Sequence, residues 1–83
     1  MPEVRVHNLK TWPEMYQAIV DGRKNFEVRL NDRDYKVGDV LILWEWDPFT
    51  SKGSGRGITR KVTFVLDEPG FGLKPGYVCM ALA

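Results

Sequence analysis

An α+β fold, a small β-barrel of about five strands with one flanking helix, is what this sequence predicts. Three observations carry that expectation. One early stretch repeats its apolar residues at helical spacing, whereas the later stretches alternate or run apolar over strand-like lengths. The chain has 83 residues, enough for one core and no second domain, so residues 1–83 are read as a single domain. A short chain with several strands must protect its sheet edges, and closure into a barrel is an economical way to do so.

The first segment, Val4-Arg5-Val6-His7-Asn8-Leu9, alternates loosely and predicts a short strand. Thr11-Trp12-Pro13-Glu14 then has the form of a capping box, and Pro13 suits a first helical turn because its missing N–H needs no partner there. Trp12, Tyr16, Ile19 and Val20 share one helical face, and Gly22 stands where a left-handed C-terminal cap belongs. The predicted helix spans about 12–21. Phe26-Glu27-Val28-Arg29-Leu30 alternates strictly, with apolar side chains on one face and charged ones on the other. Residues 31–34 and 37–39 read as tight polar turns, and 40–46 as a central strand covered on both sides. Residues 47–57 hold Pro48, two serines and three glycines and read as a mobile loop. Residues 58–66 return to strand composition, 70–76 form a rigid glycine-punctuated connection, and Tyr77-Val78-Cys79-Met80-Ala81-Leu82 is the last strand.

Composition excludes several classes. The longest apolar run, Val40-Leu41-Ile42-Leu43-Trp44, is far short of the roughly 20 residues that span a bilayer, so no membrane partner is expected. Met1-Pro2-Glu3-Val4-Arg5 has no apolar core of a secretory leader. One cysteine, Cys79, cannot form an internal disulfide, and an unstapled fold suits the cytoplasm. Twelve basic and eleven acidic side chains are not the balance of a bulk nucleic-acid condenser. One histidine and one cysteine do not make a zinc or haem site, so neither metal nor cofactor is expected. Gly53-Ser54-Gly55-Arg56-Gly57 lacks the frame of a phosphate-binding P-loop and reads as a hairpin tip. The aromatic residues Trp12, Tyr16, Phe26, Trp44, Trp46 and Phe64 sit at core-periodic positions, with Trp46 the best placed for stacking on a base. Cys79 reads as a small buried hydrophobe.

The segment from Gly22 to Arg33 concentrates charge beside the predicted helix end. Glu27 and Arg29 are two apart and project to one side of their strand, about 6–7 Å apart. Lys24 follows the helix C-terminus, where the dipole favours a cation. A lysine, a carboxylate and an arginine converging there give a donor-rich pocket suited to a nucleobase edge next to a phosphate. The same pattern also describes a solvated strand face whose charges neutralise one another.

Gly22-x-Lys24-x-x-Glu27-x-Arg29 resembles the G-x-K-x-x-E-x-R signature of ASCH domains, a branch of the PUA-like superfamily. The wider pattern is similar to the DUF3850-type ASCH-like family. It includes His7-Asn8-Leu9-Lys10, Asn31-Asp32-Arg33-Asp34-Tyr35, Val37-Gly38-Asp39-Val40-Leu41, Ile58-Thr59-Arg60-Lys61-Val62 and Gly72-Leu73-Lys74-Pro75-Gly76-Tyr77-Val78. These words cover nearly the whole chain in order. The resemblance implies a PUA-like β-barrel with a flanking helix, a cleft between the two, and a role in binding RNA or a nucleotide.

On that resemblance Lys24 contacts phosphate or a base carbonyl, Glu27 accepts from an exocyclic amine, and Arg29 binds ligand or holds Glu27. Asn31, Asp32 and Arg33 extend the rim, and His7 and Lys10 match the opening word. A group of ASCH-like proteins hydrolyses acetylcytidine through a lysine, a threonine and a distant glutamate. Here Lys24 matches the lysine, Glu27 stands in the threonine's place, and only Asp67 and Glu68 follow Asp47 as downstream acids. The alternatives to a binding module are thus a metal-independent amidohydrolase using Lys24 and Glu27, and a protein-interaction adaptor with a vestigial cleft.

Overall fold

The chain runs β1 (Val6–Thr11), α1 (Pro13–Val20), β2 (Phe26–Leu30), β3 (Val40–Asp47), β4 (Lys52–Leu66), a 3-10 turn (Pro69–Phe71) and β5 (Tyr77–Leu82). The structure is a computed structural model that describes residues 4–83; residues 1–3, part of the opening segment read for a leader, lie outside it. No helix among the described residues is long and apolar enough to cross a membrane.

The five strands form one mixed sheet in the order β1-β3-β4-β5-β2, with one helix, so the α+β class is as expected. β1 and β3 are parallel and every other pair is antiparallel. The 15-residue β4 serves both halves: residues 52–61 pair with β3 and 62–66 with β5. A register shift between Val62 and Phe64 marks the passage from one half to the other.

The sheet does not close into the expected barrel, because β1 and β2 are its two edges and share no ladder. Arginine side chains, one on β2 and one in the turn that follows it, bridge to β1 instead. Arg29 Nη2 donates to the Lys10 carbonyl at 2.9 Å, and Arg33 Nη1 donates to the Asn8 carbonyl at 3.0 Å. These carbonyls lie two residues apart on the free edge of β1, so each guanidinium replaces one rung that a neighbouring strand would have made.

The core gathers Leu9, Ile19, Tyr35, Leu41, Leu43, Val62, Val78, Met80 and Leu82 from both halves of the sheet, the helix and the connection before β3. Beside it His7 and Asp39, both buried, meet at 2.8 Å between Nε2 and Oδ2, with the Tyr35 ring edge-on to the imidazole. Leu41 and Leu43 of β3 are buried while Trp44 is exposed, so the central strand is covered on one side rather than two.

Three local expectations are corrected. The capping box does not form: Thr11 ends β1, Trp12 occupies the N-cap position, and no side chain caps the helix. A buried Thr11 is already committed to the sheet, so Pro13 alone sets the start. The segment 47–57 is not a mobile loop, for β4 begins at Lys52 and forms a hairpin with β3. Gly57 is there for a tryptophan, and Gly55 for its positive φ. Trp44 pairs with Gly57 and Trp46 with Gly53, and a Cβ on Gly57 would stand 2.7 Å from Trp44 Cε3. Between those pairs β4 bulges, with Gly55 at φ +86° and Arg56 turned onto Glu45. Lastly, of the aromatics expected in the core only Tyr16 is buried; Trp12, Phe26, Trp44 and Phe64 are exposed and Trp46 is partly covered. Aliphatic side chains fill so small a core, and the outward strand faces take the rings.

Candidate functional site

Helix α1 ends in a Schellman motif that aims the chain into the site. Gly22, at φ +78°, donates to the Ile19 carbonyl at 3.1 Å, and Arg23 donates to the Ala18 carbonyl at 2.9 Å. The Lys24 amide shares that Ala18 carbonyl at 3.0 Å. The reversal lays Lys24 against the start of β2, where its Nζ donates to the Phe26 carbonyl at 2.7 Å and to Glu27 Oε1.

β2 is turned opposite to what hydrophobicity suggests. Phe26, Val28 and Leu30 face out at 47%, 49% and 51% exposure, while Glu27 is 4% exposed. The charged face is therefore not solvated at Glu27, although its charges do neutralise one another through the Lys24 and Arg29 ion pairs. Burying a carboxylate costs several kcal/mol unless it is paired and hydrogen-bonded, and both Glu27 oxygens are: Lys24 takes Oε1, and Arg29 Nε donates to Oε2 at 2.8 Å. Arg29 also reaches Thr11 Oγ1 at 3.5 Å, a contact at the limit of hydrogen bonding. One carboxylate thus orients two cations, and the arginine ties the arrangement to β1.

Above this pair of ion pairs opens a cleft of about 570 Å³ between α1, the end of β1 and β2. Lys10, Arg23, Lys24 and Arg29 line it against one carboxylate, Glu27, and Trp12, Met15, Ala18 and Phe26 supply apolar wall. Trp12 and Met15 are exposed on that wall. Lys24 keeps one N–H and Arg29 its Nη1 outside any hydrogen bond among the described residues. The cleft therefore offers cationic donors over a planar-faced apolar wall. On the helix beside it, Asp21 is held below the ordinary carboxylate range by the hydrogen bond from Gln17 and then by Arg23.

Of the residues expected in the site, Lys24, Glu27 and Arg29 come together in this cleft, and Lys10 joins its lining at the end of β1 while its ammonium stands over the Trp46 ring. Asp32 and Arg33 line a smaller recess of about 220 Å³ at the β1–β2 seam, with Arg29 and Tyr35. Asn31 serves the turn, its Oδ1 accepting from the Tyr35 amide at 2.9 Å. His7 points into the molecule at Asp39, on neither recess. Asp67 and Glu68, the downstream acids considered for hydrolysis, are exposed and line neither recess. Cys79 is half-buried, opposite Val28. Sequence reasoning missed Trp12 and Met15 as cleft walls. The signal was the failed capping box: a threonine ending a strand pushes the following Trp out of the core. Among the described residues no three His, Cys, Asp or Glu side chains cluster as metal ligands.

Comparison with known proteins gives a family. The profile of the family described as "Domain of unknown function (DUF3850)" matches residues 6–82. The chain is also 33% identical over 63 residues to the "Uncharacterized 12.9 kDa protein in GpA 3'region" of Escherichia phage P2, an alignment covering 76% of this chain and 56% of that relative. The chain thus spans little more than half the length of the phage protein. It belongs to the DUF3850 family.

Proposed function

Starting from that membership, we propose that this chain is an ASCH-type, PUA-like module that binds RNA or a nucleotide in the cleft over Lys24, Glu27 and Arg29. The observation that carries the reading is the local charge. In a chain of net charge +1, Lys24 and Arg29 close on one buried, doubly paired carboxylate, and each keeps a donor outside any hydrogen bond among the described residues. A ligand there must be an anion or an array of carbonyl acceptors. The apolar wall of Trp12, Met15 and Phe26 adds a second requirement, a flat apolar body, which a nucleobase meets. The roles follow from the hydrogen bonds. Lys24 and Arg29 donate to phosphate or base carbonyl, and Glu27, with both oxygens taken, orients them.

The test is an amide NMR titration with short single-stranded RNA, cytidine and acetylcytidine, at low and moderate salt. Shifts clustered at residues 22–33 that weaken with salt support the reading, as does a loss of affinity of ~10-fold in Lys24→Ala. Product peaks from acetylcytidine make the site an amidohydrolase instead. Silence at residues 22–33 with all three ligands overturns both and leaves the adaptor.

A further inference from the structure

The outward face of β1, β3 and β4 lies across the sheet from α1 and its cleft. Burial alternates along β1 and the first half of β3, which puts Asn8, Lys10, Ile42 and Trp44 outward; Gly57 lies opposite Trp44, and the Trp46 ring meets the outward Lys10 side chain. Parallel pairing sets Lys10 beside Trp44, and Trp44 in turn lies beside Gly57. The Trp44 six-membered ring rests across Gly57, and its Nε1 donates to Asn8 Oδ1 at 2.9 Å. The indole is thereby pinned on one side and 41% exposed on the other. Lys10 Nζ stands 4.0 Å from the centre of the Trp46 ring, and Lys10 also lines the cleft. The charged residues at the outward positions of these strands, Lys10 and Lys61, are both cationic.

We infer that this face is a stacking platform for single-stranded nucleic acid, continuous with the cleft through Lys10. A base seated over Lys24 and Arg29 sends its backbone across the edge of β1, Lys10 contacts the phosphate there, and the next base stacks on the fixed face of Trp44. A fixed, solvent-facing indole suits a planar base, because every base has a π-face and the ring gives up little conformational freedom on stacking. Cations without a carboxylate among them suit an anionic backbone. The inference rests on the proposed function and narrows it: the ligand is a strand of several nucleotides, not a mononucleotide.

Affinity for one, three and six nucleotides of RNA and of DNA, read by intrinsic tryptophan fluorescence and calorimetry, tests it. Affinity rising ~10-fold or more from one nucleotide to six in the natural chain is expected. Trp44→Ala flattens that rise and leaves the mononucleotide affinity unchanged, whereas Trp44→Phe, keeping a ring, retains most of it. Equal behaviour of RNA and DNA assigns the platform to single strands in general, and a preference for RNA assigns it to RNA. Length-independent binding that Lys24→Ala abolishes overturns the platform and keeps the cleft. A length dependence lost in Trp44→Ala but untouched by Lys24→Ala keeps the platform and removes the cleft. No binding of any oligonucleotide, including a case in which the face captures only proteins, overturns it.

Discussion

Arg29 donates through its guanidinium to the main-chain carbonyl of Lys10 at 2.9 Å, so a side chain of β2 makes the bond to β1 that a closed barrel would make through its backbone. The same guanidinium holds Glu27 through Nε at 2.8 Å. One planar fork therefore ties the floor of the cleft to the edge of β1, beside the second bridge that Arg33 makes to Asn8.

Lysine cannot replace that fork, because a single ammonium reaches the carboxylate or the carbonyl but not both in fixed geometry. Arg29→Lys is expected to lower stability by about 1–2 kcal/mol, and Arg29→Ala by about 2–4 kcal/mol, since the alanine leaves a buried carboxylate with one partner fewer. Urea denaturation with far-ultraviolet circular dichroism measures both. Equal stability of the three proteins would show that the seam is held without the arginine.

Gly22 opens the charged signature for a conformational reason. Its φ of +78° is the left-handed cap of α1, and the reversal brings Lys24 back over β2. Nothing lies within 4 Å of where a Cβ would stand, so the cost of Gly22→Ala is backbone strain alone, about 1 kcal/mol. A fall of about 4–8 °C in Tm is expected for a domain of this size. Thermal melting checks it, and an unchanged Tm would mean that the cap carries no strain.

The early helix, the positions of the strand segments in the second half and the convergence of Lys24, Glu27 and Arg29 are legible from local pattern, because a glycine cap, strand composition and residue spacing are local properties. Two things are not. Alternation in Phe26-Glu27-Val28-Arg29-Leu30 says that the faces differ but not which one turns inward; that is decided by Lys24, three residues before Glu27, and by the edge of β1, a partner of Arg29 distant in sequence. The glycines of residues 53–57 looked like a loop because their composition is that of one. The reason for Gly57 lies on the neighbouring strand, in the ring of Trp44, and that for Gly55 in the left-handed backbone of the bulge. Closure into a barrel, likewise, depends on whether two edge strands meet, and here arginine side chains stand between them.

Gly57→Ala separates the tryptophan's position from its chemistry. The added methyl would stand 2.7 Å from Trp44 Cε3, so the exposed indole must swing away and give up its hydrogen bond to Asn8. Expected are a stability loss of about 1 kcal/mol, because an exposed ring can move, and a displaced indole N–H resonance for Trp44. A two-dimensional NMR spectrum decides it. An indole signal identical to that of the natural chain would mean that the ring does not rest on Gly57.

Asp39 couples the stability of the fold to pH. Burial pushes its carboxyl up, but the hydrogen bonds from His7 and from the Lys36 amide, with Arg5 nearby, more than offset this and hold it below the ordinary carboxylate range. A carboxyl whose folded pKa is depressed contributes stability that is fully present above its unfolded value, about 3.9, and is lost as pH falls through the folded value. The natural chain should therefore lose stability on acidification below about pH 4. Asp39→Asn removes that contribution. It should be less stable at pH 7 by about 2–4 kcal/mol, with the gap to the natural chain narrowing as pH drops below 4. Urea midpoints at pH 7, 5, 4 and 3 measure the gap. A gap that stays constant down to pH 3 would show that Asp39 is not among the groups whose protonation destabilises the fold in acid.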